Sequence, residues 1–182
     1  MPEAELVAPA APTFDERHPK VRFLLISLAV LALDQWTKWL IERHLPIHAA
    51  RPVVPGLFYI THVRNSGVAF GLLAEHGSAR GVWLLIALGL VALAVVSHYF
   101  RITPASSRRL LIALALVLGG AIGNLLDRVA TGAVTDFLGV FIGTYRWPDF
   151  NVADSAISIG LCLMVLDSLW PKPAQSPREE TT

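Results

Sequence analysis

Four stretches of the chain are apolar for long enough to cross a bilayer, which takes ~20 mostly apolar residues in a helix. They run from about Val21 to Arg43, from Gly81 to Phe100, from Leu110 to about Arg128, and from about Val152 to Trp170. The second has no polar face at all, which argues against four helices buried in a soluble core. The first is interrupted by Asp34 and Lys38. The pattern predicts an all-α integral membrane protein with four transmembrane helices. Residues 21–170 form the membrane domain, with tails at 1–20 and 171–182. The N-terminal tail is rich in Pro, Ala and Glu and is expected to be disordered. It opens with no positive n-region, so it does not read as a secretory signal peptide.

Two segments between the spans carry a different pattern. Leu57–Val63 is rich in β-branched and aromatic residues, and Arg51-Pro52 and Pro55-Gly56 punctuate the chain before it. Asn65-Ser66-Gly67 is a turn signal, after which Val68-Ala69-Phe70 is expected to pair back as a hairpin. A small sheet on the outer membrane face follows. The second segment, 129–150, is apolar apart from Asp136 around Ala133–Leu138. It is expected to be a second outer loop, partly immersed and lying over the site. Non-helical backbone at that depth persists only against protein or a wet cavity.

Charge sets the orientation. Arg101, Arg108 and Arg109 lie between the second and third spans, Lys20 and Arg22 precede the first, and Lys172 follows the last. The positive-inside rule makes these regions and both termini cytoplasmic. The five tryptophans, Trp36, Trp39, Trp83, Trp147 and Trp170, lie toward span ends, where amphipathic rings favour the headgroup level. A formal net charge of +1 and the lack of a basic stripe argue against a nucleic-acid partner. The single cysteine, Cys162, excludes an internal disulfide and reads as a small packing residue.

Ionisable groups at membrane depth are costly and mark function. Asp34 and Lys38 share a helix face four residues apart, a favourable acid–base pair. Asn124, Asp127 and Arg128 form a second group at the outer end of the third span. They follow Gly119 and Gly123, whose small-xxx-small spacing lets another helix approach. The plain reading of this group is an Asp–Arg clamp. Asp136 has no partner nearby in sequence and has the plain reading of a turn aspartate. Asn151 suits the N-cap of the fourth span, which puts Asp154 at the third helical position. Ser155 and Ser158 extend that polar stripe inward.

No G-x-S-x-G, Cys–His pairing, phosphate loop or H-E-x-x-H spacing occurs. Two carboxylates alone perform aspartic proteolysis: like charges held close cannot both ionise, so one activates water and the other polarises the carbonyl. Asn124 or Arg128 would steady the oxyanion. Spacing leaves four acids open: Asp34, Asp127, Asp136 and Asp154. A proton-coupled carrier would place its acids near the midplane in repeated halves, and neither occurs here. A docking subunit built on the glycine-rich third span leaves the acids unexplained.

Five motifs in order carry a resemblance. They are Asp34-Gln35-Trp36-Thr37-Lys38, Asn65-Ser66-Gly67-Val68-Ala69-Phe70, Gly119-Gly120-Ala121-Ile122-Gly123-Asn124-Leu125-Leu126-Asp127-Arg128, Gly132-Ala133-Val134-Thr135-Asp136-Phe137, and Phe150-Asn151-Val152-Ala153-Asp154-Ser155. The set resembles the lipoprotein signal peptidases (signal peptidase II) from about Arg22 to Trp170. The resemblance implies a bacterial inner-membrane endopeptidase. It cuts diacylglyceryl-modified prolipoproteins just before the lipidated cysteine and uses no metal or other cofactor. It implies Asp136 and Asp154 as the catalytic pair, and Asn65, Asn124, Asp127, Arg128, Asn151, Asp34 and Lys38 as substrate-binding or supporting residues. It also implies an outward-facing site, a small extracytoplasmic sheet that cradles substrate, contact with membrane lipid, and inhibition by cyclic depsipeptides. A monomer is expected.

Overall fold

The computed structural model describes residues 20–67 and 79–169. Within them lie four helices long and apolar enough to cross a membrane: α1 (Val21–His44), α2 (Ala79–Ile102), α3 (Arg108–Thr131) and α4 (Val152–Leu169). The four stretches of the hydropathy pattern recover all of them within a few residues at each end. The expected tails, Val68–Phe70, Trp170 and Lys172 lie outside the described residues.

The core helix is α3, which packs on all three others. Two of its glycines face different neighbours. A Cβ on Gly119 would lie 2.6 Å from the Ser27 carbonyl oxygen of α1, and one on Gly120 would collide with the Ala153 carbonyl of α4. Adjacent small residues thus let α3 touch a helix on each side. Gly160 of α4 repeats the device, its Cβ position being 2.7 Å from the Ala113 carbonyl oxygen of α3. Ser27 closes the α1–α3 contact by donating to the Ala115 carbonyl at 2.7 Å. At the far end Phe23, Phe100, Leu111, Leu114 and Leu118 form an apolar cluster. Leu28, Trp36, Trp83, Leu88 and Val91 are exposed on the helix surfaces, as expected of side chains meeting lipid.

The small sheet has four antiparallel strands in the order β1 (Ala50–Val54), β2 (Phe58–Asn65), β3 (Val134–Ile142) and β4 (Tyr145–Arg146). One expectation is corrected here, and the expected pairing of Leu57–Val63 with Val68–Phe70 falls outside the described residues. Leu57–Val63 does enter a strand, but its described partners are β1 and β3. The expected second outer loop is itself a strand and belongs to the same sheet. Its first residues, Val134 to Phe137, are all buried. A strand covered on both faces reads as one apolar run without alternation, which is why periodicity hid it.

A second correction concerns Cys162, which is exposed on α4 rather than packed. α3 ends at Gly132, whose φ of 76° caps the helix and turns the chain directly into β3.

Replacing Gly120 by Ala is expected to push α3 and α4 apart and cost about 1–3 kcal/mol of stability. Thermal melting of the purified protein in lipid checks this; an unchanged midpoint would show that the contact yields freely.

Candidate active site

At one end of the bundle, polar side chains from α1, α3, α4, β2 and β3 converge. Asn151 stands between two of the acids. Its Nδ2 donates to Asp136 Oδ1 at 2.7 Å. Its Oδ1 accepts the Asp154 backbone N–H at 2.9 Å, while its own backbone N–H donates to Asp154 Oδ2 at 3.2 Å. The last two bonds are a reciprocal capping arrangement that starts α4. The predicted N-cap at Asn151 and third helical position at Asp154 are both present. Capping does not exhaust either residue, because each also reaches a further polar partner.

Asp136 is a mid-strand residue, 2% exposed, not a turn aspartate. Asn65 Nδ2 donates to its Oδ2 at 2.8 Å. The Asn65 amide is oriented because its Oδ1 accepts the Gly67 N–H at 2.9 Å. Gly67 has φ 82°, and a Cβ there would strike Leu85 of α2. Burial is the largest influence on the Asp136 carboxyl and pushes its pKa up to about 6, against the hydrogen bonds from Asn65 and Asn151. The neighbouring Asp154 charge pushes the same way.

Asp154 Oδ1 accepts from Asn124 Nδ2 at 2.7 Å. Asn124 Oδ1 in turn accepts from Asn151 Nδ2 at 3.2 Å and from Lys38 Nζ at 3.1 Å. Asn124 therefore links the two aspartates to a buried ionic cluster behind them. Lys38 Nζ lies 2.7 Å from both Asp34 Oδ2 and Asp127 Oδ2. The ammonium donates to Asp34 Oδ2 and to Asn124 Oδ1, while its contact with Asp127 Oδ2 is an ion pair rather than an aligned hydrogen bond. Asp34 is fully buried, and its Oδ1 accepts the Ala153 backbone N–H at 2.9 Å, so α1 helps cap α4. A Cβ on Gly123 would lie 2.5 Å from Asp34 Oδ2, so this glycine makes room for the carboxylate.

The cluster corrects the expected Asp127–Arg128 clamp. Asp127 turns to Lys38 and accepts from Gln35 Nε2 at 2.9 Å. Arg128 instead donates through Nη1 to the Asn124 carbonyl at 3.2 Å. Its Nε is buried without a hydrogen-bond partner among the described residues. Beside it lies a cavity of about 260 Å³ lined by Val82, Trp83, Ile86, Val129 and Gly132. Ser155 returns its hydroxyl to the Asn151 carbonyl at 2.9 Å, and Ser158 is exposed, so the polar stripe stops at the helix start.

The structure thus gathers all nine sequence-singled residues. It separates the four open acids into Asp136 and Asp154, sharing Asn151, and Asp34 and Asp127, sharing Lys38. Gln35, Thr135 and Glu42 join the network without having been singled out. Gln35 neighbours Asp34, and Glu42 lies four residues past Lys38 on the same face, a spacing that marks it in the sequence.

This architecture has relatives. The family model for signal peptidase (SPase) II, Peptidase_A8, matches residues 26–170. The chain belongs to the signal peptidase II family. It is accordingly a protease, and its four apolar helices make it a multi-pass membrane member. It is 41% identical over 160 residues to the lipoprotein signal peptidase of Syntrophus aciditrophicus, covering 88% of this chain and 99% of the relative. It is 44% identical over 154 residues to that of Geobacter metallireducens, covering 85% and 94%. A bacterial membrane enzyme solved by the in meso method superposes with a TM-score of 0.75 at 32% identity, covering 84% of this chain and 95% of the other.

Lys38→Met is expected to leave Asp34 and Asp127 without their cation. Breaking a buried pair from one side costs about 3–5 kcal/mol. The melting midpoint should fall sharply, and the paired change with Asp34→Asn and Asp127→Asn should recover part of the loss. No recovery would show that the lysine stem, not its charge, supports the fold.

Proposed function

We propose that the chain removes the signal peptide from diacylglyceryl-modified prolipoproteins, cutting just before the lipidated cysteine, with Asp136 and Asp154 as an aspartic pair. The observation that carries this reading is that Asn151 hydrogen-bonds both carboxylates at once. The names of the relatives support the substrate class. In this reading residues 21–170 are the peptidase domain, in the bacterial inner membrane, with both termini cytoplasmic and the site outward. It acts as a monomer without metal or other cofactor, and cyclic depsipeptides compete for the site.

Asp136, which burial drives toward the neutral form, is the acid, and Asp154 is the base. Asp154 takes a proton from water, and the water oxygen bonds to the scissile carbonyl carbon. Asp136 gives its proton to the carbonyl oxygen. The tetrahedral intermediate then breaks its C–N bond, the nitrogen leaving with the proton held by Asp154, while Asp136 recovers its own. Arg128 Nε, without a partner among the described residues, supplies a donor for substrate, and the apolar cavity beside it suits an acyl chain. Asn65, Asn124 and Asn151 aim the carboxylates. Asp34, Lys38 and Asp127 hold Asn124 and the start of α4.

Release of signal peptide from a lipid-modified prolipoprotein by the reconstituted protein tests this. Asp136→Asn and Asp154→Asn should each lower kcat by about 10⁴-fold or more while melting as folded proteins. Normal cleavage by either variant would remove that residue from the pair.

The acid must keep its proton, so activity falls as pH rises through its pKa. The kcat/KM profile, which reports the unliganded enzyme, should carry an alkaline limb at about 6. Activity that instead rises with pH through about 6 would reverse the acid and base roles, and a flat profile there would show that Asp136 is not the titrating group.

A further inference from the structure

Glu42 lies in the last turn of α1, at the edge of the polar network, and touches both of the strands that carry Asn65 and Asp136. Its Oε1 accepts from Thr135 Oγ1 at 2.6 Å and lies 3.5 Å from Arg64 Nη1. Thr135 and Arg64 face each other in the β2–β3 register. Each directly precedes a member of the site: Asn65 follows Arg64, and Asp136 follows Thr135. Successive strand residues point to opposite faces. So α1 grips one face of the ladder, and the Asn65–Asp136 bond closes on the other.

Two further observations give this grip consequence. The β2–β3 register shifts between Ile60 and Val63, just before the gripped pair, and a bulge of this kind loosens a ladder and bends it. Thr135 is 2% exposed, so its hydroxyl needs a partner, and the carboxylate supplies a short, charge-assisted one.

We propose that Glu42 is a positioning residue which, through Thr135 and Arg64, clamps the β2–β3 ladder and so holds Asn65 in hydrogen-bonding register with Asp136. The proposal rests on Asp136 belonging to the catalytic pair. It acts on turnover, not on substrate affinity, because Glu42 reaches the reacting groups only through the sheet. The Asn65 N–H favours the ionised Asp136 carboxylate, so a loosened clamp lets the Asp136 pKa rise further.

The full chain, reconstituted in lipid and given a lipid-modified prolipoprotein, is compared with Glu42→Ala, Glu42→Gln, Thr135→Val, the double variant Glu42→Ala/Thr135→Val, and Asp136→Asn. Glu42→Ala should lower kcat about 10-fold and leave KM within about twofold, the cost of a small misplacement far from the chemistry. Its alkaline limb should move to higher pH. Glu42→Gln keeps the oxygen that accepts from Thr135 and should restore most of kcat. The double variant should lose no more than the worse single one. Glu42→Ala with wild-type kcat and pH profile, or a double variant in which the two losses multiply, overturns the clamp.

The Glu42 side chain is 43% exposed, so its removal empties no core space. Should the alanine variant nevertheless melt below the assay temperature, Thr135→Val is read in its place, and wild-type kcat there overturns the clamp. A silent Glu42→Ala beside an inactive Asp136→Asn defeats the clamp alone. An active Asp136→Asn defeats the aspartic pair itself.

Discussion

The ammonium of Lys38, buried between Asp34 and Asp127, is the point from which the rest of the polar end is built. A single lysine in that position would be expelled toward solvent or neutralised, and two carboxylates without it would repel each other. Together they balance one another's charge, the ammonium lying 2.7 Å from a carboxylate oxygen on each side. The remaining valences then do structural work. Asp34 reaches the first turn of α4 through the Ala153 amide, and Lys38 reaches Asn124. Three helices are thereby fixed relative to one another at the polar end of the bundle. Gly123 is the steric condition for this arrangement, since a methyl there would occupy the place of the Asp34 carboxylate.

From that base the second layer follows by amide chemistry. Asn124 and Asn151 each carry a donor and an acceptor, so they relay a fixed direction outward to the Asp136 and Asp154 carboxylates. An amide, unlike a charged group, does this without adding another ion to a site whose burial already works against ionisation. The same burial pushes the Asp136 pKa to about 6. The fold thus makes two kinds of aspartate from one side chain: those neutralised by lysine and those kept apart by asparagine.

Much of this was legible in the sequence. Runs of apolar residues gave all four helices, and the spacing of Asn151 and Asp154 gave the helix start. The four-residue interval gave the Asp34–Lys38 pair. Local spacing could not reach the rest, because the deciding contacts are tertiary. Asp136 meets Asn65 across 71 positions of sequence, and Lys38 meets Asp127 across a helix interface. β3 is buried along both faces at its start, so it lacks the alternation by which a strand is recognised. Asp127 and Arg128, adjacent in sequence, point to different partners because a helix turns about 100° per residue. Glu42 was missed for a different reason. At the end of a span, an exposed acid looks like ordinary interface decoration until Thr135 is brought beneath it.

The reciprocal cap at Asn151 has a consequence for biogenesis. The side chain that begins the last membrane helix is also the one that joins Asp136 to Asp154, so no partial chain ending before this helix holds both carboxylates together. On the proposed assignment of Asp136 and Asp154, a protease threaded into a membrane crowded with other nascent spans stays harmless until its own last span has docked. In that reading, assembly itself serves as the safety catch.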